Sequence, residues 1–137
     1  MERFMDVARL QASRFSECPT TKVACLLLTP EPYVIFSTGW NQMPRGISCE
    51  TWEENMVVHA ETSALYNAAR IGARTEGATA VVTLFPCLEC AKALIQSGVK
   101  TVVTEYPNFT HPRWGQQFRM SKDLLERSDV KIIYCDV

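Results

Sequence analysis

A mixed five-stranded β-sheet with helices on both faces, a three-layer α/β/α arrangement, is the fold class that this sequence predicts. Three observations lead to it. Apolar residues recur at helical spacing in some segments and run without interruption in others. These segments come in the order helix, two strands, then three alternations of helix and strand, the pattern of an α/β layer architecture. The 137 residues are 47% apolar and 21% charged, which is enough to form a core without disulfide staples.

Phe4, Val7, Ala8, Leu10 and Phe15 mark one face of a first helix, which stops before Cys18-Pro19 because proline cannot continue it. Lys22–Thr29 and Tyr33–Ser37 are apolar runs separated by Pro30-Glu31-Pro32, and they predict a hairpin. From Gly39 to about Met56 no period survives among Trp, Asn, Pro, Gly and Cys. This predicts a long loop, and long loops in compact domains are commonly functional. His59–Ile71 carries Ala60, Ala64, Leu65, Ala68 and Ala69 at helical spacing, with Gly72 placed to end the helix.

Ala80–Phe85 then reads as a buried strand. Pro86 opens a helix with Cys90, Ala91, Leu94 and Ile95 on one face, and Gly98 closes it. Lys100–Thr104 is a further strand, and Glu105–Gly115 is a polar loop rich in proline and aromatics. Phe118, Leu124 and Leu125 predict a last helix, and Val130–Tyr134 a last strand. No repeat, low-complexity tract or linker interrupts the chain, so one domain is expected over residues 1–137.

Charge narrows the choice of partners. With 14 basic and 15 acidic side chains the net charge is −1, which provides no general attraction to phosphate backbones, so no nucleic-acid partner is expected. The longest apolar runs, such as Val23–Leu28, fall far short of the roughly 20 residues that cross a bilayer, so no membrane partner is expected either. The opening Met-Glu-Arg-Phe-Met-Asp does not read as a secretory leader. Six cysteines, two of them with metal-pair spacing, are expected as reduced thiols in a cytoplasmic protein.

The informative residues are His59-Ala60-Glu61 at the start of one predicted helix and Pro86-Cys87-Leu88-Glu89-Cys90 at the start of another. Imidazole nitrogen and thiolate sulfur are zinc donors, and catalytic zinc sites use three protein ligands with the fourth position open. His59, Cys87 and Cys90 make such a set, and the other histidine, His111, falls in a loop. A helix N-terminus also lowers thiol pKa and favours the thiolate. Zinc brings the ionisation of a bound water to about pH 7, and Glu61 is then placed to carry its proton to a ring nitrogen and to a leaving amine. His-x-Glu followed by Pro-Cys-x-x-Cys is the signature of zinc deaminases acting on cytosine or adenine.

With these residues the chain resembles the cytidine deaminase superfamily, and within it the deoxycytidylate (dCMP) deaminases. The resemblance runs from about Lys22 to Tyr134. Gly39-Trp40-Asn41-Gln42-Met43-Pro44-Arg45-Gly46 is similar to their Gly-Tyr-Asn-Gly-x-Pro-x-Gly loop, and His59–Arg70 to their His-Ala-Glu-x-Asn-Ala-Ile helix. Gly77-Ala78-Thr79 and the run Cys90–Gly98 also match that group. The chain departs from the pattern at Trp40, Gln42 and Ser63, where tyrosine, glycine and asparagine are usual.

The resemblance implies the cytidine deaminase-like fold, one catalytic Zn2+ per subunit, and hydrolysis of a small-molecule nucleotide, dCMP, to dUMP and ammonia. It gives Glu61 the proton transfers, Asn41 a hydrogen bond to the sugar hydroxyl, and the Ala60 N–H a bond to the base carbonyl. An amide suits a hydroxyl, since each both donates and accepts. Turn chemistry between Trp40 and Pro44 is the competing role for Asn41.

A phosphate needs cations or clustered N–H donors, and Lys22, Arg45, Arg70 and Arg113 are the candidates. Each also reads as a solvated surface charge. Arg113-Trp114 lies in a loop suited to closing over substrate, though Trp114 fits a core position equally well. Arg70 matches an arginine that relatives turn toward a subunit contact or effector site. Relatives are homo-oligomers, often hexamers, and some hold a second, structural zinc through cysteines matching Cys18 and Cys49 plus two histidines. No histidine lies between Cys49 and His59, so no second zinc is expected. Cys25 and Cys135, on predicted strands, are expected as buried small hydrophobes. Competing functions are deamination of another base, nucleoside or nucleotide, a tRNA adenosine deaminase, or a silent zinc-binding scaffold.

Overall fold

The computed structural model describes residues 1–135; residues 136 and 137, the end of the expected domain, lie outside the described residues. The elements are α1 (Glu2–Phe15), β1 (Ala24–Leu28), β2 (Ile35–Trp40), α2 (Ala60–Ile71), β3 (Thr79–Val82), α3 (Leu88–Gln96), β4 (Thr101–Glu105), α4 (Gly115–Arg127) and β5 (Lys131–Cys135), with a short 3₁₀ turn at Glu54–Met56. The strands form one sheet in the order β2-β1-β3-β4-β5. β1 pairs antiparallel with β2 and β3, while β3, β4 and β5 run parallel.

Side chains alternate across a strand, so β1 serves two cores. Cys25 and Leu27 join Ala80, Val82 and Val102 beneath α2, α3 and α4, whose Ala64, Leu94 and Leu125 complete that layer. Leu26 and Leu28 face the other way with Val81 and Val103, under Met5 and Ala8 of α1. Burial on both faces is why Val23–Leu28 is a continuous apolar run. The expected three layers and five mixed strands are present, with one helix on one face and three on the other.

Element ends differ from the sequence expectation where pairing or capping overrides composition. The second strand extends through Gly39 and Trp40, which pair with Cys25 and Ala24; those two residues look like loop only when read locally. β3 ends at Val82, because Thr83 turns its hydroxyl to accept the Ala24 N–H at 3.2 Å. The next helix starts at Leu88, two residues after Pro86, with Cys87 in extended conformation as its N-cap. The expected long loop holds the 3₁₀ turn and a two-residue bridge, Gln42 to Val58.

β2 and α2 meet without a gap. A Cβ at Gly39 would lie 2.3 Å from the Ala64 nitrogen and 2.5 Å from the Ala60 carbonyl oxygen, both helix backbone. Two bonds fasten the same seam: Ser37 Oγ donates to the Ala64 carbonyl at 2.7 Å, and Asn67 Nδ2 to the Thr38 carbonyl at 2.8 Å. Gly39→Ala is expected to destabilise the fold by about 1–3 kcal/mol or more, the cost of overpacking against atoms that cannot give way. Equilibrium urea unfolding measures this, and an unchanged midpoint would contradict the close approach.

Candidate metal centre and active site

Two helix starts converge on one point. His59 is the N-cap of α2 and Cys87 the N-cap of α3, and neither makes a side-chain capping bond. Both are thus available to face each other. Gln42 holds the approach to α2 through two bonds with Val58, at 3.1 and 2.8 Å. Cys90 follows one turn into α3 and is buried.

His59 Nδ1 lies 3.6 Å from Cys87 Sγ and 3.4 Å from Cys90 Sγ, and the three donor atoms all fall within 4.8 Å of one another. A tetrahedral ion bonded to nitrogen at about 2.0–2.1 Å and to sulfur at about 2.3 Å has N···S edges of about 3.5–3.6 Å. The donor set and its spacing therefore fit one zinc ion. It is the one such cluster among the described residues.

The electrostatics suit cation capture. Without metal, the Cys90 thiol hydrogen-bonds to the Cys87 sulfur and pulls Cys87 down to about 4, while Cys90, sharing that bond and buried, is pushed up. His59 is raised, first by its hydrogen bond with Cys87. A thiol lowered in this way ionises readily, and a dication bound there would displace the protons shared among the three donors. Glu61, 5% exposed, is raised to about 7, above all by burial, with its own backbone hydrogen bond, His59 and Cys90 acting in the opposite sense. Beneath it Cys25 is fully buried, and its thiol is pushed up by burial and by Glu61. Cys25 and Cys135 are the buried small hydrophobes that their strand positions predict.

The other expected residues divide into those near the triad and those away from it. Ala60 is the first residue of α2, so its N–H has no acceptor within the helix. Asn41 follows directly on β2 and is almost fully committed. Its Oδ1 accepts from Ser16 Oγ in a short contact and from the Val23 N–H at 3.0 Å, and its Nδ2 donates to the Thr21 carbonyl at 2.7 Å. One amide hydrogen remains. Lys22 is tied to the same loop, donating to the Ser16 and Cys18 carbonyls at 3.1 and 3.0 Å.

Arg45 is exposed in the turn after Met43. Arg70 lies at the far end of α2, roughly 16 Å along the helix from His59 at 1.5 Å per residue, bonded to Asn67 Oδ1 at 3.4 Å. It is not brought to the triad. Arg113 stacks on the Trp114 ring at 4.9 Å, and Trp114 is the N-cap of α4 and 42% exposed, so it is no core residue. His111 Nδ1 accepts the N–H groups of Arg113 and Trp114, both at 3.0 Å, which shapes this turn. Sequence reading gave no role to Ser16, which donates to Asn41 Oδ1, and named Gly39 only as the head of a loop, not as the point where strand backbone meets α2. An isolated glycine at the end of a strand can mark such a close backbone approach.

The cytidine and deoxycytidylate deaminase zinc-binding region family matches residues 1–106. A probable deoxycytidylate deaminase of Caenorhabditis elegans is 34% identical over 137 residues, covering 93% of this chain and 65% of its own. The Mus musculus deoxycytidylate deaminase is 37% identical over 114 residues, covering 74% of this chain and 62% of its own. The chain thus spans slightly under two thirds of the length of those two relatives. The dCMP deaminase of cyanophage S-TIM5 superposes in its apo form with a TM-score of 0.82 at 27% identity, over 98% of this chain and 95% of that one. The same phage enzyme in complex with dCMP and dUMP superposes with a TM-score of 0.81. By the residues it matches and by the spacing of its three metal donors, this chain belongs to the cytidine and deoxycytidylate deaminase family.

Proposed function

We propose that the chain hydrolyses dCMP to dUMP and ammonia with one zinc ion held by His59, Cys87 and Cys90. The observation that carries this reading is Glu61: a buried carboxylate, two residues after the imidazole donor, that is not itself one of the three donors. Bound zinc supplies an ionised water near neutral pH. Glu61 accepts the water proton and passes it to N3 of cytosine as the oxygen bonds to C4. Glu61 then takes the proton of the new C4 hydroxyl and delivers it to N4, so that the C4–N4 bond breaks, the C4 carbonyl forms and ammonia leaves.

The remaining groups bind and orient. The Ala60 N–H, free at the head of α2, donates to the base carbonyl. Asn41 has spent its oxygen inside the protein, so it acts on the sugar hydroxyl as a donor. Arg45 and Arg113 are the phosphate candidates, with Trp114 as an exposed flap beside them. Arg70, at the far end of α2, belongs to a contact with another subunit or an effector. Tyr66 and Ile71, on that helix and 61% and 67% exposed, support a homo-oligomer built from copies of a single catalytic domain. All six cysteines are unpaired, which supports the cytoplasmic location expected from their number and spacing. No helix among the described residues is long and apolar enough to cross a membrane.

An ultraviolet assay with dCMP, deoxycytidine, dCTP and a tRNA tests the substrate. A charge-assisted hydrogen bond is worth about 1.5–3 kcal/mol, so removing the phosphate is expected to lower kcat/KM by roughly tenfold or more. Equal rates on deoxycytidine and dCMP would discard the phosphate contacts, and deamination confined to tRNA would discard the nucleotide reading.

A further inference from the structure

The first amide of α3 finds its partner on a different helix. Leu88 is the first residue of α3, so its amide has no acceptor within the helix and needs one from elsewhere. The Leu88 N–H donates to Gln117 Oε1 at 3.2 Å, across 29 residues of sequence. Leu88 lies between the two cysteine donors, directly after Cys87 and two residues before Cys90.

Gln117 is itself well anchored. It lies in the first turn of α4, behind the cap that His111 makes with the Arg113 and Trp114 amides. Gly115 sits so close to the 106–114 loop that a Cβ there would approach the Phe109 carbonyl oxygen to 2.4 Å. The next residue, Phe118, packs edge-on against Phe85 at 5.9 Å, and Phe85 directly precedes Pro86-Cys87. The same short stretch of α4 thus touches both sides of the turn that carries Cys87.

We propose that Gln117 is a positioning residue for the metal centre: its side-chain oxygen holds the first turn of α3 where Cys87 and Cys90 both face His59. The donor spacings of 3.6 and 3.4 Å leave little slack, since metal–ligand distances tolerate only about 0.2 Å. Groups that orient metal ligands without touching the ion typically change affinity by about 10–100-fold when removed. This inference rests on the zinc reading of the triad.

Zinc affinity of the metal-stripped protein, measured by competition with a chelator, tests it with Gln117→Met and Gln117→Glu, alongside the melting temperature of each metal-free form. Methionine keeps the length and loses the acceptor, whereas glutamate keeps an acceptor. Gln117→Met is expected to bind zinc about tenfold more weakly, at the lower end of that range, while Gln117→Glu stays within about threefold of the unsubstituted chain or binds more tightly. A merely structural role would lower the metal-free melting temperature and leave zinc affinity unmoved. The proposal is overturned if Gln117→Met binds within about threefold of the unsubstituted chain, or if both variants weaken alike. An unsubstituted chain that takes up no zinc would instead remove the underlying metal reading, an outcome distinguishable from either of these.

Discussion

Glu61→Gln is expected to retain zinc, to unfold no more easily than the unsubstituted chain, and to deaminate dCMP about 10²–10⁴ times more slowly, the usual worth of a positioned acid–base group. Glutamine fills the same space but cannot take a proton from water or return one to ammonia. Stability moves in the opposite sense from activity. Burial raises the carboxyl to about 7 in the metal-free protein, so the stability linked to its protonated form is present below its unfolded pKa and is lost as pH rises through about 7. A neutral amide escapes that loss. Measuring kcat at saturating dCMP together with zinc content and thermal unfolding separates the effects, and near-normal turnover with a full complement of zinc would remove Glu61 from the proton path.

Serine at Cys87 or Cys90 is expected to weaken zinc binding by about 10²–10³-fold. Structural sites with four ligands are worth about 10–16 kcal/mol at neutral pH, so one thiolate carries roughly 2.5–4 kcal/mol of that. Serine keeps the size but offers a neutral hydroxyl, which is a poor substitute for a sulfur that already ionises readily at Cys87. The sheet and its two cores do not depend on the ion, so the variants are expected to fold and to lose mainly the stabilisation that zinc binding adds. Elemental analysis after dialysis against a chelator checks this, and undiminished zinc in either variant would reject that cysteine as a ligand.

The metal centre was legible in the sequence because its chemistry is concentrated in two short motifs, each opening a helix. The alternation of elements was legible too, since strands buried on both faces leave continuous apolar runs such as Val23–Leu28. What escaped was set by residues distant in sequence. Gly39 and Trp40 look like the start of a loop, and only pairing with Cys25 and Ala24 makes them strand. Pro86 signals a helix start, yet Pro86 and Cys87 stay outside α3, and this leaves Cys87 free to turn toward His59. The family resemblance made Asn41 a ligand for the sugar hydroxyl, with turn chemistry as the competing role. Its commitment to Ser16, Thr21 and Val23 depends on a loop 18–25 residues away that no periodicity foretells. Gln117 is an ordinary polar residue on an amphipathic helix until α3 is placed beside it.

The seam at Gly39 bears on how the proposed site opens to a substrate. With helix backbone pressed directly on strand backbone, α2 has no room to tilt or slide, and His59 and Glu61 ride on a fixed beam. On the proposed function, admission of substrate and escape of product therefore fall to the largely exposed stretch from Arg45 to Met56, which lies outside the helices that carry the triad.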